Sequence, residues 1–140
     1  MKDVMSGLDL RAIASELQVM VGAHCRKCYQ PHYEQVVLRL RTKEGGNSDL
    51  VLVRGKRIYT SKRDRPMPQS PAPFGMVLRK SLSNARLRVV EQIGYDRILK
   101  FVFEKPFGMF HIYVEVFRDG NIILTDGDDV IIQPLTHKSY

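Results

Sequence analysis

Val36, Leu38 and Leu40 alternate with Val37, Arg39 and Arg41, the period-two pattern of a half-buried strand. Leu10, Ile13, Leu17 and Met20 or Val21 instead recur at helical spacing. Ser6-Gly7-Leu8-Asp9 just before them has the form of a capping box, so an amphipathic helix is predicted over residues 7–21, closed by Gly22. After the 36–41 strand, the polar turn 43–48 leads to a returning strand at Leu50–Val53. A further turn at Arg54-Gly55-Lys56 precedes a short strand at Arg57–Thr60. Residues 61–73, SKRDRPMPQSPAP, carry four prolines and read as an extended loop. Phe74, Val77, Leu78 and Leu82 then mark a second helix opened by Pro71 and Pro73. From Leu87 onward a meander is predicted, with strands at Arg88–Gln92, Ile98–Phe103, His111–Phe117, Asn121–Thr125 and Val130–Ile132, and a two-residue hairpin turn at Asp119-Gly120. The composite is α+β: seven or eight mostly antiparallel strands, one helix at the front and one in the middle.

The 140 residues suit one domain with a real core, and 44% hydrophobic with 26% charged residues exclude global disorder. Twenty-two basic against fifteen acidic residues give a net charge of +7, an excess that favours polyanionic partners. The cations gather in two places: Lys56, Arg57, Lys62, Arg63 and Arg65 before the prolines, and Arg79, Lys80, Arg86 and Arg88 around the second helix. Tyr59 and Phe74 lie close by in sequence as candidate stacking faces. No apolar run approaches the roughly 20 residues of a membrane span. The N-terminus lacks the apolar core of a signal peptide, so the expected compartment is the cytoplasm.

His24-Cys25-x-x-Cys28-x-x-x-His32 raises the question of zinc. Structural zinc normally draws on two separated ligand pairs, whereas all four candidates here fall within nine residues of a strand-like segment. Packed or half-exposed thiols are the reading, with no metal and no cofactor. Asp126-Gly127-Asp128-Asp129 lacks the closing Glu of a calcium loop and reads as a turn. Gly94-Tyr95-Asp96-Arg97 combines a turn with an arginine that the turn does not require.

Five segments in this order, SGLDLRAI (6–13), RIY (57–59) before the proline-rich loop, FGMVLRKSL (74–82), GYDRI (94–98) and DGNIILTD (119–126), resemble the N-terminal domain of the NFACT family. That family comprises the bacterial RqcH (fibronectin-binding-protein-A-like) proteins, their archaeal counterparts and eukaryotic NEMF. The resemblance implies a tRNA- and large-ribosomal-subunit-binding module of ribosome-associated quality control. Such a module supports untemplated C-terminal tailing of stalled chains on a subunit that carries peptidyl-tRNA. It implies tRNA-binding residues at Asp9, Asp96 and Arg97; the cation clusters add Lys56, Arg57, Lys62, Arg63, Arg65, Arg79 and Lys80 as the expected supporting basic surface. Peptide-bond chemistry would be the ribosome's, and neither a membrane nor a small-molecule substrate is implied. Family members are longer, so residues 1–140 are expected to be one domain of a multidomain protein.

The same domain also looks like that of formamidopyrimidine-DNA glycosylases, a β-sandwich flanked by helices. Those enzymes form a Schiff base through an N-terminal proline; this chain begins Met1-Lys2-Asp3 and lacks that amine. A nucleic-acid enzyme is therefore the alternative reading, and adhesion to fibronectin a more distant one.

Overall fold

The computed structural model describes residues 5–42, 46–61, 73–94, 97–117 and 120–136. Helix α1 (Gly7–Glu16) is followed by four strands, β1 (His24–His32), β2 (Gln35–Arg41), β3 (Asn47–Val53) and β4 (Arg57–Ser61). After α2 (Pro73–Leu82) come β5 (Arg86–Gln92), β6 (Ile98–Lys105), β7 (Gly108–Glu115), β8 (Asn121–Asp126) and β9 (Ile131–Pro134). The strands form one antiparallel ladder in the order β4-β3-β2-β1-β5-β6-β7-β8-β9.

The capping box forms as the sequence predicts. Ser6 Oγ accepts from Asp9 N–H at 3.1 Å, and Asp9 Oδ2 accepts from Ser6 N–H at 2.9 Å. The α-helix stops at Glu16, earlier than expected, and Leu17–Met20 wind on as a 3₁₀ turn. The tighter winding keeps Leu17 and Met20 buried while Gln18 bridges Ala14 O and Val90 O. Gly22, at φ 98°, then donates to Leu87 O and carries the chain into β1.

Nine strands form among the described residues, where the pattern predicts seven or eight. Strand β1 runs on through Pro31, whose missing N–H falls where the β1–β2 register shifts between Tyr29 and His32. The last strand begins one residue later than predicted, at Ile131. The β7–β8 pairing ends at Glu115 with Asn121, and Asp119 of the predicted Asp119-Gly120 turn lies outside the described residues. Val116 N–H bonds Arg97 O, one step beyond the β6–β7 pair Ile98–Glu115, while Glu115 O accepts from Gly55 N–H.

Strands β1 and β5 share a single registered pair, His24 with Arg86, so the ladder folds back on itself there. One core draws on both halves: Leu38, Leu52 and Ile58 from β2–β4, Phe101, Phe103 and Ile112 from β6–β7, with Leu10 of α1 and Leu78 of α2. The far ends close where Gly55 N–H donates to Glu115 O at 2.9 Å. Val37, expected on the solvent side of β2, is fully buried with Tyr29 and Val51 in a second cluster on the opposite sheet face.

Candidate nucleic-acid interface

Four hydrogen bonds link the start of α1 to three turns. Met5 N–H donates to Lys56 O (2.8 Å), Gly55 N–H to Glu115 O (2.9 Å), Val116 N–H to Arg97 O (2.7 Å), and Gln92 Nε2 to Gly7 O (3.2 Å). Ile93 N–H, donating to Ile98 O at 3.0 Å, closes the path: from α1 to the β3–β4 turn, to the β7–β8 connection, to the segment before β6, and through the end of β5 back to α1. It gathers Asp9, Lys56 and Arg97 on one rim of the molecule, although they lie far apart in sequence. Asp9 is half-buried in its capping box; Lys56 and Arg97 are exposed. A groove between α1 and β5, lined by Arg11, Ser15, Gln18, Glu91, Gln92 and Gly94, leads to the same turn. Arg97 also acquires a local role that its sequence neighbours did not suggest, since its guanidinium carbon stands 6.0 Å from the Phe117 ring centroid. Asp96 lies outside the described residues, as do Lys62, Arg63 and Arg65.

Of the expected basic surface, Arg57 is exposed on β4 next to the rim, opposite Val53. Arg79 and Lys80 are not brought to the rim. Arg79 Nε donates to Cys28 O at 2.8 Å, and its guanidinium lies 5.2 Å from the Tyr29 ring centroid; Lys80 is exposed on α2. Tyr29 also meets Arg39 at 5.3 Å, and Arg39 is held by two bonds to the buried Asp49 carboxylate, at 2.9 and 3.1 Å. Tyr59 keeps part of its ring accessible, whereas Phe74 is 3% exposed. Phe74 is therefore core, not a stacking face: it sits on the inward side of α2, whose burial the helical period decides.

Nothing in the local sequence pattern singles out Tyr29, Arg39 or Lys27. Their only signal is the strand register that places Tyr29 opposite Val37, Lys27 opposite Arg39 and Arg39 opposite Asp49.

The other candidate chemistries settle into structural roles. Cys25 and Cys28 face the core with sulfurs 3.5 Å apart, because a bulge at Arg26 turns both inward. The bond to Cys25, then burial, holds the Cys28 thiol well above its ordinary range, so it stays neutral. Asp126 Oδ1 accepts from the N–H groups of Asp128 and Val130, which makes the 126–130 segment a side-chain-stapled turn. Beyond it, Asp129 Oδ1 takes bonds from Tyr113 Oη (2.6 Å) and His111 Nδ1 (2.8 Å). These two bonds pull the Asp129 carboxyl below its usual range. Burial, reinforced by Asp129, pushes the Tyr113 phenol up to about 12.

A family model described as the NFACT N-terminal and middle domains matches residues 6–140. The chain belongs to the NFACT family. Among its curated relatives, the archaeal Rqc2 homolog aRqcH of Methanocaldococcus jannaschii is 36% identical over 140 residues, covering 96% of this chain and 21% of the relative. The human ribosome quality control complex subunit NEMF is 34% identical over 140 residues, covering 99% and 13%. The NFACT chain thus spans about a fifth or less of these relatives' length. Among solved structures, the N-terminal part of the fibronectin/fibrinogen-binding protein from Streptococcus suis superposes with a TM-score of 0.87 at 27% identity, over 97% of this chain and 55% of that one. The N-terminal domain of the fibronectin-binding protein PavA from Streptococcus pneumoniae gives 0.85 at 26% identity, over 96% and 54%. Among the described residues, no helix of this NFACT chain is long and apolar enough to cross a membrane.

Proposed function

We propose that this chain is a binding module of a ribosome-associated quality control factor, holding tRNA on a large ribosomal subunit that carries peptidyl-tRNA. It acts in the cytoplasm, as one domain over residues 1–140, and leaves peptide-bond chemistry of untemplated tailing to the ribosome. The observation that supports this reading is the set of hydrogen bonds that ties the start of α1 to the backbone of Lys56 and of Arg97, segments far apart in sequence. Arg97 offers a planar fork of donors suited to a phosphate or a base edge, and Asp96 next to it orients that fork or accepts from a base. Asp9 serves both its cap and the RNA. Lys56, Arg57, Lys62, Arg63, Arg65, Arg79 and Lys80 add attraction that is independent of sequence. The names of the archaeal and human relatives point to the same process.

The test replaces Asp96 and Arg97 by Ala, checks folding by circular dichroism, and measures tRNA binding over a salt series. Weaker binding with an intact fold is expected; unchanged binding at every salt concentration removes the pair from the site. A second reading, fibronectin binding, draws on the names of the streptococcal neighbours. Retention on immobilised fibronectin without any affinity for tRNA would favour it.

A further inference from the structure

A bulge in β1 places Arg26 out of register between Cys25 and Lys27, and both cations are exposed side by side. Together with Cys28, Arg79 and Ser83 they line a cleft of about 200 Å³ between β1 and the C-terminal half of α2. This is below the roughly 300–1,000 Å³ typical of small-molecule pockets, and it suits a single phosphate.

No carboxylate lines the cleft. The residue opposite Lys27 across the ladder is another cation, Arg39, and Arg39 already has its counter-ion in Asp49. Arg26, Lys27 and Arg79 have no ion-pair partner among the described residues. Cys28, whose thiol faces the core and is held neutral, adds no opposing charge.

Arg79 is also pre-positioned. Its Nε is committed to Cys28 O and its plane rests near Tyr29, while its two terminal nitrogens make no hydrogen bond among the described residues. A fork held at its base and open at its tip is the geometry that phosphate recognition uses.

We infer that this cleft is a second RNA contact, in which Arg79, flanked by Arg26 and Lys27, clamps one backbone phosphate away from the Asp9–Arg97 rim. The inference rests on the RNA-binding reading above but not on its rim. Arg79 thereby changes from one cation among many to the centre of a built site.

The test compares the wild type with R26A/K27A, R79K and R97A on two RNAs, a tRNA and a plain A-form duplex, with poly-glutamate as a protein-like polyanion. Arg26 and Lys27 are exposed, so R26A/K27A should keep the wild-type melting temperature. Its plot of log affinity against log salt should be shallower by up to about 0.7–0.9 on both RNAs, the value for the one phosphate the cleft neutralises. R79K keeps the charge but loses the fork, and should weaken both RNAs; diffuse attraction would leave it unmoved. Unchanged slopes for R26A/K27A, wild-type affinity for R79K, or losses confined to poly-glutamate each overturn the cleft. Wild-type tRNA affinity in R97A alongside weaker binding in the cleft variants overturns the rim instead and leaves the cleft standing.

Discussion

Gly120 is the residue on which closure of the two sheet halves depends most directly, and Gly120→Ala measures that dependence. Its φ is +54°, and a Cβ built on it would overlap Gly55 N and Glu115 O, the two atoms of the hydrogen bond that joins the β3–β4 turn to β7. Three costs follow. An L-residue in the left-handed region costs about 1–2 kcal/mol. Loss of the Gly55–Glu115 bond costs about 1 kcal/mol. Forcing a methyl against packed backbone costs about 1–3 kcal/mol. The total is about 3–6 kcal/mol, a fall in melting temperature of about 10–25 °C for a domain of this size. Gly94→Ala is the control: φ is +56°, but nothing lies within 4 Å of the added Cβ, so only the first cost of about 1–2 kcal/mol applies. Thermal and urea unfolding followed by circular dichroism give both numbers. If Gly120→Ala proves no more costly than Gly94→Ala, the steric argument for closure at Gly55 is refuted. Well below its melting temperature, Gly120→Ala should also bind tRNA more weakly, because the broken bond is one link of the ring.

Three further outcomes are expected. Ser6→Ala should cost about 1 kcal/mol through loss of the cap and leave tRNA affinity unchanged, whereas Asp9→Ala should lose both stability and affinity; unfolding and binding assays on the pair separate the two roles. Arg39→Ala strands the Asp49 carboxylate, which is only 4% accessible, and should cost about 3–5 kcal/mol in urea unfolding, towards the lower end because Arg39 itself remains 24% accessible; replacing both residues by Val should cost less. In an alkaline absorbance titration one tyrosine should ionise near 12, and Asp129→Asn should bring it part of the way down, since burial persists. An unfolded phenol ionises near 10, so the folded state binds the extra proton between these values. Stability from this contact is therefore full below about pH 10 and drains as pH rises towards 12.

Legibility in the sequence tracks the range of the interaction concerned. The capping box, the strand alternation of 36–41 and the second helix rest on contacts within a few residues, and local pattern is enough to read them. Local pattern misleads where a partner from elsewhere in the chain intervenes. Helix α1 stops early because Gln18 and Gly22 bond to β5. Strand β7 ends at Glu115, short of the predicted Phe117, where Glu115 O bonds Gly55 N–H of the β3–β4 turn. Phe74 lies in the sequence between two groups of cations, which suggests a stacking face, but the helical period turns it into the core.

Composition and short-range periodicity need no knowledge of contacts. They suffice for the α+β class and for the basic character, while the resemblance to the family rests on five motif segments matched residue by residue. They do not reveal that Asp9, Lys56 and Arg97 share a rim while Arg79 belongs to a separate cleft; that grouping exists only in the folded chain. Strand register and the fold of the ladder at β1–β5 are set by side-chain burial summed over both halves. No window of neighbouring residues contains that sum.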